Sequence, residues 1–422
     1  MLKRVLKNFG VVLRGRGIAA VFSVSATGLM ANALSATEFG LVILLHTYIM
    51  VVRGGLNFRT FETIVRFGIP LGDAGNDSGL RSLLRSTMMI DMAAALLATI
   101  IGVAAAPLAG HFLQWDSEMV SWAAMYSLVI LATANGTPNG ILRIYDRFDA
   151  LGVQFTVGPA LRLLMVSIAW ALDAPMPVFI VAWGSAFAAG HIYMTLRGLK
   201  ELKAHMDASL WSGFRWQEIR DRQREFWKFI GVVYWQTNID LLPKHGSTLL
   251  AGALLGPAAA GLFRLAREFS TVLTGPAVML REVLFPDLTR SFHAQDEGFH
   301  SVPWKTAFFA GAAGLVLVIF SLFIGRPILG IVGDEYVAAA PLLSLMLLAA
   351  TFELAGASLR AAVYAMGKAA SILRIHIIGI VTYVAMFFVL TPVTGLIGPG
   401  LAAIISSLLV LTLTSMLIKR IA

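Results

Sequence analysis

The sequence predicts an all-α integral membrane protein: twelve transmembrane helices in two six-helix lobes, related by a pseudo-two-fold axis along the membrane normal, with a central cavity. Three observations predict it. Of 422 residues, 58% are hydrophobic and 14% charged, and the mean hydropathy of +0.78 exceeds what a soluble domain needs to fill its core. Twelve apolar stretches are long enough to cross a hydrocarbon layer, which takes about 20 residues of helix. Basic residues also gather on alternate loops, as they do in multi-pass proteins.

In chain order the spans lie near residues 11–33, 39–57, 86–107, 119–140, 151–172, 178–196, 226–250, 258–280, 306–325, 339–363, 371–390 and 399–418. The basic start and the Ala31-Asn32-Ala33 stretch look like a signal peptide, but a second apolar span begins at once at Phe39, so the segment reads as span one. With the N-terminus inside, the outward loops hold one basic residue, Arg326, against the acids Glu38, Asp116, Glu118, Asp173, Asp334 and Glu335. Inward segments carry most of the remaining positive charge. This asymmetry puts both termini in the cytoplasm and accounts for the net charge of +9 as topology, with no nucleic-acid partner.

Between spans six and seven lies the longest polar interruption, "RGLKELKAHMDASLWSGFRWQEIRDRQREFWKF". It divides the chain into an N-terminal lobe (1–196), a basic cytoplasmic linker (197–225) and a C-terminal lobe (226–422). Trp211, Phe214, Trp216 and Trp227 among its basic residues suit either an anionic membrane surface or a solvated connector. The lobes repeat weakly. Setting Gly40 on Gly261 aligns "ALSATEFGLVILLH" with "LLGPAAAGLFRLAR", each a short outward turn opening an even-numbered span. Six spans per lobe make the repeats parallel, an architecture of transporters with a binding site between repeats.

A charged side chain at the bilayer centre costs roughly 2.5–3.5 kcal/mol on insertion scales, so such residues must face protein or water. On span eight, Arg264, Arg267 and Glu268 share a helix face; an Arg264–Glu268 pair would leave Arg267 without a partner. Span seven carries Asp240 and Lys244 four apart, with Asn238 nearby, and Pro243 predicts a kink beside them. Elsewhere the spans hold His46, Tyr48, Arg53, Asp91, Arg162, Glu353, Arg360 and Arg374. For Arg53, Arg360 and Arg374, near the inner boundary, snorkelling to the cytoplasmic surface is the competing reading. The excess of cations over Asp91, Asp240, Glu268 and Glu353 points to an anionic substrate, because guanidinium pairs phosphate bidentately. There is no phosphate-binding glycine loop, no His-Glu-x-x-His, no paired Asp motif and no cysteine. The sequence therefore gives no support to an enzyme and calls for no cofactor.

The stretch from Tyr234 to Arg290 resembles the start of the second lobe in polysaccharide-transporter flippases, the Wzx-like branch of the multidrug/oligosaccharidyl-lipid/polysaccharide exporter superfamily. The similarity lies in Leu255-Gly256-Pro257, Gly261, the Arg-bearing span and Phe285-Pro286; "ALSATEFGLVILL" and "FETIVRFG" look like the first lobe's turn and second inward loop. The resemblance implies an inner-membrane protein that flips an isoprenoid-pyrophosphate-linked glycan by alternating access for cell-surface polysaccharide such as O-antigen, with a polysaccharide polymerase as partner. It also implies a basic cavity, matched best by Arg264 and Arg267, then by Arg53, with Lys244, Arg162 and Arg360 as further cations. Coupling to sodium or protons would fall to Asp240, Glu268, Glu353 or Asp91. The competing readings are a multidrug extrusion antiporter, which would carry carboxylates in its first spans, a peptidoglycan-precursor lipid flippase, and, in another class, a membrane polymerase or ligase. The last would need a large outward loop, and those here are short and acidic.

Overall fold

The computed structural model describes residues 2–206, 224–239, 241–270, 280, 284, 288 and 298–421. Among them the chain is helical and has no strand. The helices are α1 (Leu2–Ala33), α2 (Ala36–Gly55), α3 (Thr60–Asp73), α4 (Asp77–Leu113), α5 (Ser117–Tyr126), α6 (Gly136–Ile144), α7 (Phe148–Ala171), α8 (Met176–His205), α9 (Arg224–Asn238) and α10 (Ser247–Leu255). They continue with α11 (257–270), α12 (Gly298–Val332), α13 (Ala340–Ala365), α14 (Ala369–Thr394) and α15 (Gly398–Ile421). Among the described residues the predicted spans lie mainly on helix; a 3-10 turn over Ser127–Thr133 and the non-helical Ala134 and Asn135 break the fourth, and the eighth is helical over 258–270, with 271–279 outside the described residues. Eight helical stretches among the described residues are long and apolar enough to cross a membrane, and one of them, Ala370–Arg420, holds both α14 and α15.

Local chemistry sets the helix starts. Ser35 and Glu38 form a reciprocal capping box: the Ser35 N–H donates to Glu38 Oε2 at 3.1 Å and the Glu38 N–H to Ser35 Oγ at 3.3 Å. Asn76 accepts from the Gly79 N–H at 2.9 Å and Asp116 from the Met119 N–H at 2.8 Å, capping α4 and α5. Two local features depart from the sequence reading. The second inward loop contains α3, a 14-residue helix with one buried face. Around Pro243 the chain makes a π-helical turn, Leu242–Gly246, in place of a simple kink, because a proline without an N–H cannot carry the ordinary ladder.

The chain forms two compact units. Unit 1 comprises Met1–Leu34 and Leu45–Gly246, and unit 2 comprises Ser35–Leu44 and Ser247–Ala422. Within unit 1, α1 packs on α7, α7 on α8, and α6 against both α3 and α8. Trp183 and Phe179 of α8 are fully enclosed there, while Leu96, Leu97 and Ile100 of α4 face outward, as a lipid-contacting face requires. Within unit 2, α13 packs against α12 and α15. Its alanine-, serine- and glycine-rich sequence permits that enclosure by letting backbones approach. Phe308, Phe309 and Phe323 of α12 are exposed.

The glycines that the repeat alignment pairs are in backbone contact inside unit 2. A Cβ on Gly40 would overlap the Pro257 carbonyl oxygen, and one on Gly261 would lie 3.2 Å from the Gly40 Cα. The small residues are there because two helix starts cross with no room for side chains.

Candidate functional site

Unit 1 contains a cavity of about 250 Å³, built where α2 gives way to α3 and walled by α4, α6, α7 and α8. The turn that opens it is locally specified. Leu56 and Asn57 close the end of α2 by donating to the Arg53 and Gly54 carbonyls at 3.3 and 3.1 Å. Arg59 then takes the left-handed conformation (φ 46°), rare for a side chain of this size, and its N–H donates to Asn57 Oδ1 at 3.0 Å. Strain of this kind persists where the surroundings over-determine it. Here Arg59 Nε also pairs with Glu62 at 3.0 Å, and its guanidinium lies over Phe61.

Asp91, on α4, holds the wall. Its carboxylate accepts from Thr60 Oγ1 at 2.7 Å, from the Thr137 N–H at 2.6 Å and from Thr137 Oγ1 at 2.7 Å. It caps the start of α6 from another helix, where an anion is favoured by free N–H groups and the helix dipole. Gly136 makes this possible, since a Cβ there would crowd Thr60 Oγ1 and come within 2.8 Å of Asp91 Oδ1.

Arg53 lines the same cavity. Its guanidinium sits 5.8 Å from the centre of the Phe187 ring and makes no hydrogen bond or ion pair among the described residues. The lining thus carries charge of both signs, with Asp91 turned to its threonine donors, Arg59 paired to Glu62, and the Arg53 guanidinium facing a ring. Around it stand four amides, Asn57, Asn135, Asn139 and Gln154, and three phenyl rings, Phe58, Phe61 and Phe155. Asn135 Nδ2 meets His191 Nδ1 at 2.7 Å, and Asn139 Oδ1 accepts from Arg143 Nε at 2.8 Å. Phe58 stacks on Tyr234, whose hydroxyl donates to the Gly55 carbonyl at 2.8 Å.

The cavity brings together Arg53 and Asp91 of the residues singled out in the sequence. Others in unit 1 lie apart from its lining. The Arg162 guanidinium is 4.4 Å from the Trp183 ring centre, with Nη2 3.4 Å from Ser23 Oγ. His46 Nδ1 and the Tyr126 hydroxyl are 3.1 Å apart, and the Tyr48 hydroxyl donates to the Gly102 carbonyl at 2.6 Å, so these polar groups are spent on joining helices. Asn238 Nδ2 bonds back to the Tyr234 carbonyl at 2.9 Å, and Lys244 is exposed on the π turn. Asp240 lies outside the described residues, as do residues 207–223 of the linker.

In unit 2, Arg264 and Glu268 form the expected i,i+4 pair at 2.8 Å. Arg267 is not left alone by that pairing: Nη1 donates to Ser247 Oγ at 3.0 Å. The serine opening α10 supplies a partner 20 residues away that helix spacing could not reveal. Arg360 donates to the Glu353 carbonyl at 3.0 Å and the Glu353 side chain is exposed.

Comparison with known proteins places the architecture. One structure, described as the inward-facing conformation of a MATE-family multidrug resistance transporter of the MOP superfamily, superposes with a TM-score of 0.73 at 18% identity, covering 95% of each chain. A second, lipid II flippase MurJ in an inward closed conformation, gives 0.70 at 14% identity, covering 95% of this chain and 86% of that one. The chain shares the fold of these two proteins. No family model matches the sequence. "Inner membrane protein YghQ" of Escherichia coli (strain K12) is 27% identical over 352 residues, 81% of this chain and 96% of its own length. The chain is thus a multi-pass membrane protein whose fold is also that of a multidrug transporter and a lipid flippase. A fold of this kind hosts more than one substrate, so the cavity lining carries the functional argument.

Proposed function

We propose that the chain is a flippase that moves an isoprenoid-pyrophosphate-linked oligosaccharide from the cytoplasmic to the outer leaflet of the inner membrane, for cell-surface polysaccharide assembly, with both termini cytoplasmic. The observation that carries this reading is Arg53. A guanidinium turned into a cavity, with no anionic partner among the described residues, is arranged to receive an anion from outside the protein. A snorkelling arginine would instead reach for the surface. Carrying the head group outward is also favoured by an inside-negative potential, about 2.3 kcal/mol per charge per 100 mV.

The same observation weighs against a multidrug antiporter for cationic drugs, since a cavity guanidinium without an anionic partner among the described residues repels a cationic guest and Asp91, the lining carboxylate, points to Thr60 and Thr137. A peptidoglycan-precursor flippase shares the pyrophosphate chemistry, and the 0.70 TM-score against MurJ keeps it as the second reading. Ion coupling through Asp91 or Glu268 gains no support from their full engagement by Thr60, Thr137 and Arg264. The test is the leaflet distribution of lipid-linked glycan in cells that carry Arg53→Ala, with membrane levels of the protein checked alongside. Accumulation in the cytoplasmic leaflet at normal protein level supports the flippase. Normal export removes Arg53 from the substrate path.

A further inference from the structure

The unit 1 cavity holds more chemistry than an anion needs. A phosphate group asks for cations and N–H donors; it offers no C–H face to stack and, when ionised, no hydroxyl to donate. Yet beside Arg53 the lining presents the rings of Phe58, Phe61 and Phe155 and four side-chain amides. The internal bonds of those amides leave a mixed set of free groups. Asn57 and Asn139 use their carbonyl oxygens on the Arg59 N–H and on Arg143 Nε, which leaves both NH2 groups as donors. Asn135 spends its NH2 on His191 and keeps its oxygen as an acceptor. Gln154 makes no hydrogen bond among the described residues and keeps both.

Donors, acceptors and apolar ring faces around the Arg53 guanidinium form a lining for a polyhydroxylated ring that bears a negative charge. The hydroxyls both donate and accept, and the ring's C–H face packs on phenyl groups. Size limits the guest. At about 250 Å³ the space falls below the roughly 300–1,000 Å³ of pockets that enclose drug-sized ligands, so it admits one sugar ring with its phosphate and not a chain of several sugars.

We infer that this cavity is a selectivity subsite for a single sugar ring attached directly to phosphate, with Arg53 on the phosphate and Asn139, Gln154 and Asn57 reading the ring hydroxyls. The inference rests on the flippase reading above and adds the part of the substrate that this cavity recognises. It makes the sugar next to the lipid pyrophosphate, and not the distal glycan, the unit that the amides discriminate.

The test uses the purified full chain in detergent and four probes: inorganic phosphate, glucose 1-phosphate, galactose 1-phosphate and N-acetylglucosamine 1-phosphate. Binding is followed by calorimetry or saturation-transfer NMR. At least one sugar phosphate should bind roughly tenfold or more tightly than inorganic phosphate, the gain expected of one or two hydrogen bonds with a stacked face. Gln154→Ala, which breaks no bond within the protein, should remove most of that gain and leave inorganic phosphate unchanged; Asn139→Ala is the second variant. Arg53→Ala should weaken both kinds of probe. If no sugar phosphate exceeds inorganic phosphate, or if both amide variants keep the gain, the sugar subsite is overturned while the anion site stands. If phosphate binding ignores Arg53→Ala, the anion site falls, and the subsite with it.

Discussion

Gly136→Ala tests how the cavity wall is built, and its effect can be worked out from three groups. The new methyl would crowd Thr60 Oγ1 and lie 2.8 Å from Asp91 Oδ1, closer than a Cβ is found to any oxygen. Either α6 shifts away from α4 or Thr60 rotates and gives up its 2.7 Å bond to Asp91. Overpacking a tight site costs about 1–3 kcal/mol. Losing a hydrogen bond to a charged group costs about 1.5–3 kcal/mol, and alanine returns at most about 1 kcal/mol of backbone entropy. Whichever of the two gives way, the net expectation is a loss of about 0.5–3 kcal/mol. Reversible unfolding in detergent, followed by circular dichroism, measures it. Gly17→Ala is the control, because a Cβ there meets nothing within 4 Å and the same substitution inside α1 should stabilise by up to about 1 kcal/mol. If Gly136→Ala is as stable as the parent, Asp91 does not hold α6 as described.

Gly40→Ala should be still more damaging, because the nearest atom is the backbone oxygen of Pro257 and not a movable side chain; the same unfolding assay should show the larger loss. A double-mutant cycle on Arg264 and Glu268 should give a coupling of about 0.5–1 kcal/mol, as for i,i+4 pairs with some burial, and a value near zero would mean the pair is held only by its helix. At Arg267, Lys should retain part of the export activity because charge survives without the guanidinium's geometry, whereas Glu should abolish export at normal protein level; leaflet-resolved glycan labelling reads both.

The fold was legible where it depends on sums along the chain. Hydropathy finds the apolar helices, eight stretches of which are long enough to cross a membrane among the described residues, and aligning Gly40 on Gly261 finds two residues whose backbones approach closely. The site was legible only in part, because it depends on partners remote in sequence. Asp91 stands out in the sequence as an intramembrane carboxylate that could couple transport to an ion, but its three donors lie 31 and 46 residues away, and no helical spacing brings them together. Arg53 stands out as a charge, yet the cavity it lines is shaped by a turn with Arg59 in the left-handed conformation, which a non-glycine sequence does not announce. Asn135, Asn139, Gln154 and His191 do not stand out in the sequence beside the intramembrane charges. All four fall within predicted spans, so a search for neutral polar side chains at membrane depth would have gathered them. Asn57 and Arg59, at and beyond the end of span two, needed the turn itself.

The most direct test of the central claim is flipping in reconstituted vesicles. A fluorescent isoprenoid-pyrophosphate-linked sugar is placed in one leaflet, and its loss from that leaflet is timed with the parent protein, with Arg53→Ala and without protein. The account predicts translocation by the parent, and a rate for Arg53→Ala close to that of empty vesicles, with both proteins folded and incorporated equally. Translocation by Arg53→Ala at the parent rate, or none by the parent at all, would contradict it.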